Sequence, residues 1–199
     1  MNTSSSPRGW HSRGYLPHFD GGDVLQFITL RLADSVPLKV IRNWEAQLQY
    51  EDDYYAKEIL RERIEAYIDQ GYGACWLRKT EIAEIIQDSL LHFDRNHYRL
   101  FSWVIMPNHT HFILKPEKSF ELSSIIQSHK NFTARMSNRL LERMGQFWQE
   151  DYFDREIRDL GDFIDKLNYI DMNPVRAGLC RNPEDWQFSS AKIGRRFRL

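Results

Sequence analysis

The sequence predicts an α+β fold: a ferredoxin-like βαββαβ sandwich that carries an inserted helical hairpin and an extra C-terminal helix. Three observations carry that expectation. Short runs rich in β-branched and aromatic residues recur at residues 24–32 (VLQFITLRL), 98–106 (YRLFSWVIM) and 109–114 (HTHFIL), with a shorter run inside 147–158. Apolar residues at helical spacing fill the stretches between them. With one helical hairpin set aside, the order is strand, helix, strand, strand, helix, strand, helix, and its first six members are the ferredoxin-like pattern.

Residues 1–23 read as an irregular arm in which Trp10, His11, Arg13, Tyr15, His18 and Phe19 alternate with Gly, Pro and Ser. Such an arm embraces a nucleic-acid strand by phosphate contact and stacking, or packs its rings onto the domain. After the first strand, Leu38, Ile41, Trp44 and Leu48, then Tyr55, Ile59, Ile64, Tyr67 and Ile68, mark two helices. They are separated by the acidic break at Glu51, Asp52 and Asp53. This insertion, residues 37–70, reads as a solvated addition. Gly71 ends it, and Thr80 is placed to cap a helix whose stripe is Ile82, Ile85, Ile86, Leu90 and Phe93. Pro107 and Asn108 form the turn of an antiparallel strand pair. Residues 119–143 form a helix with Leu122, Ile125, Ile126, Phe132, Met136 and Leu140 inward and a basic row of Lys130, Arg135, Arg139 and Arg143. That row is solvated surface or a phosphate track. Residues 159–179 form the last long helix, which Pro174 disturbs, and the segment 183–186 packs back. Arg195, Arg196 and Arg198 close the chain as a basic cluster.

Composition narrows the function classes. The chain has 199 residues and a formal net charge of −1, but residues 33–94 hold 7 Lys/Arg against 13 acids. The remainder is therefore mildly basic, and a polyanionic partner stays open. No apolar run approaches the length of a membrane span. The polar N-terminus lacks the apolar core of a secretory signal. Cys75 and Cys180 stand far apart and fit free thiols in a reducing cytoplasm.

Two motifs carry chemistry. His109 and His111 are one residue apart on a strand, so their imidazoles share a face while Thr110 points away. A pair so placed is able to hold one metal ion. On a helical wheel of the last helix, Leu160, Phe163, Ile164, Leu167 and Ile170 form a stripe expected to be buried. Asp162, Asp165, Lys166, Asn173 and Arg176 share the other side with Tyr169. A tyrosine amid a polar face is not core filling, and Asn173 lies one turn beyond it.

The ordered combination of VIMPNHTHFIL, QEDYFDREIR and LNYIDMNPVRAGL, with RGYLPHFDGGDVLQFITLRL before and PEDWQFSSA after, resembles the REP-associated tyrosine transposases, relatives of the small HUH single-tyrosine transposases. The resemblance spans nearly the whole chain as a single HUH domain, residues 1–199. It implies an enzyme that cuts and rejoins single-stranded DNA at hairpins of repetitive extragenic palindromes. By position it implies Tyr169 as the nucleophile and His109, His111 and Asn173 as ligands of a divalent ion, Mg²⁺ or Mn²⁺. One departure is Thr110, where the middle position of the motif is usually hydrophobic. Tyr152 is the second candidate nucleophile, with Asp154 and Arg155 beside it as a strand-edge ion pair or as DNA contacts. Expected DNA-binding residues are Arg13, Tyr15, His18, Lys130, Arg135, Arg139 and Arg155. The rival readings are a non-catalytic hairpin DNA- or RNA-binding module on the same fold, and a metal-dependent hydrolase of small phosphoesters. Monomer and homodimer both stay open.

Overall fold

The computed structural model describes residues 9–12, 17–20 and 22–194. Its strands are β1 (Gly9–Ser12), β2 (Pro17–Asp20), β3 (Gln26–Arg31), β4 (Tyr98–Ile105), β5 (His109–Pro116) and β6 (Phe153–Glu156). Its helices are α1 (Leu38–Leu48), α2 (Asp53–Ile68), α3 (Thr80–His92), α4 (Leu122–Leu140), α5 (Leu160–Arg176) and the short α6 (Ser190–Ile193). A four-stranded sheet in the order β4-β5-β3-β6 is antiparallel at every junction. The ferredoxin-like frame is thus β3-α3-β4-β5-α4-β6. The arm differs from expectation: β1 and β2 pair as a small antiparallel ribbon, with His11 opposite His18, and β2 lies beside β6.

Both faces of the sheet are covered, which explains why β3 and β5 read as apolar runs without clean alternation. One face, with Ile28, Leu30, Phe112 and Leu114, packs under α3 and α4. The other, with Phe27, Val104, Met106 and Ile113, packs under α2 and α5. A register shift between Leu100 and Ser102 lets Tyr98 and Leu100 share a face with the odd-numbered Trp103 and Ile105. One extra residue in a strand reverses the phase of everything after it. The outer edge of β4 is closed by the chain's own tail. Ser189 bridges Val104, Ile105 donates its backbone N–H to the Phe188 carbonyl (2.9 Å), and Trp186 Nε1 donates to the Ile105 carbonyl (2.9 Å).

The helical insertion, α4 and α5 each depart in part from the burial expected of them. The α1–α2 hairpin is not a solvated addition, because Ile41, Leu48, Leu60, Ile64 and Ile68 are buried in the second core cluster. The apolar spacing that marks the two helices is the stripe that packs into this cluster, while the charge lies on the outer side. In α4, Phe132 and Leu140 are exposed, and the inward row is completed by His129, Thr133 and Ser137. Those polar groups are tolerated because each of the first two has a partner: His129 Nδ1 lies 2.8 Å from Ser89 Oγ, and Thr133 donates to the His129 carbonyl at 2.7 Å. Trp148 Nε1 in turn donates to Thr133 Oγ1 at 2.8 Å. In α5, Leu160 and Ile164 are exposed, whereas Ile170, Asp171, Asn173 and Pro174 are buried. Pro174 does not interrupt this helix, so Asn173 keeps helical geometry one turn from Tyr169. Lys79, with no side-chain hydrogen bond, precedes α3, so Thr80 is its first residue and not its cap. Asp159 caps α5 by accepting from the Asp162 N–H.

Burial holds the His129 imidazole well below its ordinary proton affinity, at about 4. The unfolded chain binds that proton near pH 6.5 and the folded one does not, so folding stability falls as pH drops from about 6.5 towards 4. His129→Gln is expected to flatten this part of the pH profile by an amount on the order of 3 kcal/mol, read by denaturant melts between pH 4 and 7. An unchanged slope in the variant would place the pH sensitivity elsewhere.

Candidate metal and tyrosine site

The site begins with the register of the central strands. Thr29 pairs with His111 and Arg31 with His109, so both imidazoles project to the face covered by α2 and α5. Thr110 points the other way and donates to the Val104 carbonyl at 2.9 Å. Both histidines are essentially inaccessible, with ring centroids 4.6 Å apart. Burial is the first cause that depresses each one: His109 falls to about 3, opposed by the Asn173 amide. His111 falls well below its usual range, helped by His109 and Lys166. Both are neutral at pH 7 and able to offer lone pairs.

Asn108 sets which nitrogen offers one. Its amide nitrogen donates to the carbonyls of Ile68 (3.0 Å) and Tyr72 (2.9 Å), which fixes its oxygen towards His109 Nδ1 at 2.8 Å. An amide oxygen only accepts, so His109 Nδ1 carries the hydrogen and Nε2 carries the lone pair. His111 Nδ1 lies 2.8 Å from Thr29 Oγ1. Sequence reasoning passed over Asn108 as a turn residue, since nothing local marks a side chain that bonds 40 residues back.

α5 brings Tyr169 and Asn173 over the histidines. The Tyr169 ring lies edge-on to His111 (centroids 5.2 Å) and to Phe27 (5.9 Å). Phe27 stacks on His111 at 5.3 Å. Lys166 Nζ sits 5.3 Å from the Tyr169 ring centroid and the Arg176 guanidinium 5.8 Å from it. The phenol is nonetheless pushed up, first by burial and then by Glu65 and Asp69. The face of α5 that holds Lys166, Tyr169 and Asn173 is therefore the one that meets the sheet. The stripe expected to be buried is split between contact and solvent.

A residue outside the sequence-derived set completes the cluster. Asp69, one residue past the end of α2, places Oδ1 3.5 Å from His109 Nε2. One ligand atom each from Asp69, His109 and His111 lies within 4.8 Å of the others. Burial raises the Asp69 carboxyl to about 6, against the lowering influence of Asn173 and Arg176. Asp69 Oδ1, His109 Nε2, His111 Nε2, Asn173 Oδ1 and the Tyr169 hydroxyl are all buried with no hydrogen bond of normal geometry among the described residues. The Asn173 amide is still near enough to bias the protonation of His109, Asp69 and Tyr169. Buried acceptors without donors call for a cation. Two imidazoles, an amide oxygen and a carboxylate form a mixed nitrogen–oxygen set that fits Mn²⁺, or Mg²⁺ with more water.

The remaining expected residues lie elsewhere. Arg135 and Arg139 are exposed on α4, across the sheet from the histidines. Lys130 donates to the Gln149 carbonyl at 2.9 Å and also to that of Glu150, which ties α4 to the loop before β6. Arg143 donates to the Gln146 carbonyl at 3.1 Å. Tyr152 packs partly against the cluster under α3 and α4 and also borders a small cavity lined by Thr29, Glu65 and Ile68. Arg155 pairs with Asp162 at the start of α5. Arg13, Tyr15, Arg195, Arg196 and Arg198 lie outside the described residues. His18 is in β2, where the backbone alone is described.

Comparisons with known proteins bear on this arrangement. Residues 77–173 match the family model described as "Transposase IS200 like", a span that takes in both histidines, Tyr169 and Asn173. The "REP-associated tyrosine transposase" of Escherichia coli (strain K12) is 30% identical over 95 residues, 47% of this chain and 54% of that protein. The "Putative REP-associated tyrosine transposase" of Haemophilus influenzae (strain ATCC 51907 / DSM 11121 / KW20 / Rd) is 31% identical over 96 residues, 43% of this chain and 54% of that protein. The chain thus matches about half the length of these curated relatives. A solved structure described as "Structure of the REP associates tyrosine transposase bound to a REP hairpin" shares the fold, with a TM-score of 0.56 at 18% identity. That alignment covers 92% of this chain and 82% of the other.

Asn108→Ala would strand the Tyr72 carbonyl and the His109 Nδ1–H, and would leave the Ile68 carbonyl with the Gly71 N–H as its donor. Each buried unsatisfied group costs ~1–3 kcal/mol. A loss of about 2–4 kcal/mol in urea melts is expected, and a change under 0.5 kcal/mol would contradict the bracing role.

Proposed function

We propose that this chain, which is similar to the REP-associated tyrosine transposases, nicks and rejoins single-stranded DNA at REP-like hairpins through a 5′-phosphotyrosine intermediate. The observation that supports the reading is the Tyr169 ring lying edge-on to His111, with the Tyr169 hydroxyl and the Nε2 atoms of His109 and His111 all buried and without a hydrogen-bond partner among the described residues. A phosphodiester repels nucleophiles because it is anionic, and a neutral phenol is a weak nucleophile. The reaction therefore needs positive charge at the phosphate and a fixed line of attack. A divalent ion held by His109, His111 and Asn173, when bound, supplies Lewis acidity at a non-bridging phosphate oxygen.

The chain's own groups supply the rest. α5 holds Tyr169 against His111 and Phe27, so the phenol loses little freedom on reaching the phosphate. Its oxygen forms a bond to phosphorus, the bond to the 3′-oxygen breaks, and the phenolic proton leaves as the 3′-hydroxyl gains one. Lys166 and Arg176 flank the ring and offset charge that develops on the phenolic oxygen. The covalent link conserves the phosphodiester's energy, so rejoining proceeds by the reverse attack. Contacts to the hairpin are assigned to the N-terminal arm with Arg13, Tyr15 and His18, to Arg135 and Arg139 on the outer side of α4, and to Lys130 and Arg155. This reading rests on exposure for Arg135 and Arg139, on charge for Arg13, Lys130 and Arg155, and on ring stacking for Tyr15 and His18.

Tyr169→Phe is expected to abolish cleavage of a single-stranded REP-like hairpin with Mn²⁺, by more than 10³-fold, and to abolish the covalent adduct on a denaturing gel. Persisting scission, or an adduct mapped to Tyr152, would overturn the assignment. Tight hairpin binding by the wild-type chain with no scission in any divalent ion would favour the non-catalytic module.

A further inference from the structure

Asp69 has no part in the mechanism above, yet it sits on the histidine pair. It comes from the inserted hairpin, and its position is fixed from both sides. The carbonyls of Ile68 and Tyr72, which bracket it, are both bound by the Asn108 amide nitrogen. Gly71, at φ +73°, turns the chain there and donates to the Ile68 carbonyl at 2.9 Å. The Asp69 N–H itself donates to Glu65 at 3.1 Å and holds the last helical turn.

The contact it makes is incomplete as it stands. His109 Nε2 carries a lone pair, because Nδ1 donates to Asn108. Asp69 Oδ1 carries lone pairs as well, and the two atoms face each other at 3.5 Å with no hydrogen bond of normal geometry to either among the described residues. Two acceptors so placed repel unless a cation lies between them. An ordinary His–Asp pair does not account for the contact, since a neutral His109 has no hydrogen on that nitrogen. Charge points the same way. His109, His111 and Asn173 contribute no negative charge, and the nearby cations Lys166 and Arg176 oppose a second positive ion. An anionic protein ligand there would offset the charge of a buried divalent ion before any phosphate arrives.

We propose that Asp69 is a fourth protein ligand of this ion, and that the α1–α2 hairpin is thereby the element that closes the metal site. The proposal rests on the reading of His109, His111 and Asn173 as ligands. Its consequence is mechanical as well as electrostatic: the ion ties the hairpin to the central strands and to α5 at one point.

The test uses the full chain and MnCl₂ alone, without DNA. Isothermal titration calorimetry of wild type, Asp69→Asn and His109→Ala is expected to give binding, binding weakened at least tenfold, and none. In parallel, Mn²⁺ should slow hydrogen exchange at the backbone amides of residues 65–72 in the wild type and not in Asp69→Asn. Without metal, Asp69→Asn should melt no lower than wild type, because an acceptor–acceptor contact has been relieved, which separates lost ligation from lost folding. Wild-type affinity in Asp69→Asn would overturn the role of Asp69 and leave the histidine site standing. Absence of Mn²⁺ binding in the wild type would overturn both.

Discussion

The side chain of Asn108 links three parts of the molecule that the chain makes far apart. Its nitrogen holds the end of α2, its oxygen fixes the hydrogen of His109 on Nδ1, and its backbone turns β4 into β5. Its carbonyl also accepts from Leu32 at 2.8 Å, which ties the end of β3 to the same corner. A buried amide with every group satisfied tolerates one orientation only, since any rotation strands a donor or an acceptor. The tautomer of His109, and so the direction of its lone pair, follows from that network. The histidine site is in this sense a product of the turn that precedes it.

Around the tyrosine, opposing charges are held close in a dry setting. Lys166 is depressed by burial and supported by Glu65, which burial raises in turn. Arg61 reaches both Glu58 and Glu65 and lies over the Phe153 ring at 5.1 Å. α2 therefore lends carboxylates to the same chamber into which α5 brings cations. The phenol stays neutral at rest because burial, Glu65 and Asp69 all disfavour its anion. That is suited to a nucleophile that must remain idle until a polyanion and its counter-charge arrive.

Much of this was legible in the sequence, and the failures have physical causes. The four strands of the sheet, the two-helix insertion and the facing of His109 with His111 follow from composition and period two. Tyr169 and Asn173 stand out because a polar helix face with a tyrosine at its centre is unusual. The helical wheel then mislocated that face: α5 turns its polar side to a sheet face that is itself partly polar, and Leu160 and Ile164 are left outside. The same inversion occurs in α4, where His129 and Thr133 are buried and Phe132 is not. Hydrophobic periodicity presumes an apolar partner, and it misleads wherever the partner offers hydrogen bonds. Asp69 and Asn108 were invisible for a different reason. Each acts on residues about 40 positions away, and no local signal encodes that meeting.

The tail that lies along β4 has a practical consequence for handling the protein. Residues 186–190 occupy the open side of that strand, where Ser190 Oγ accepts from the Trp103 N–H at 3.1 Å and donates to the Trp103 carbonyl at 3.2 Å. A shortened version ending before Trp186 would present bare backbone donors and acceptors next to buried Trp103 and Ile105, a ready template for edge-to-edge stacking between molecules. Purification tags and fusions thus belong beyond Gly194, and a version trimmed to the matched span would be expected to come out of cells as aggregate.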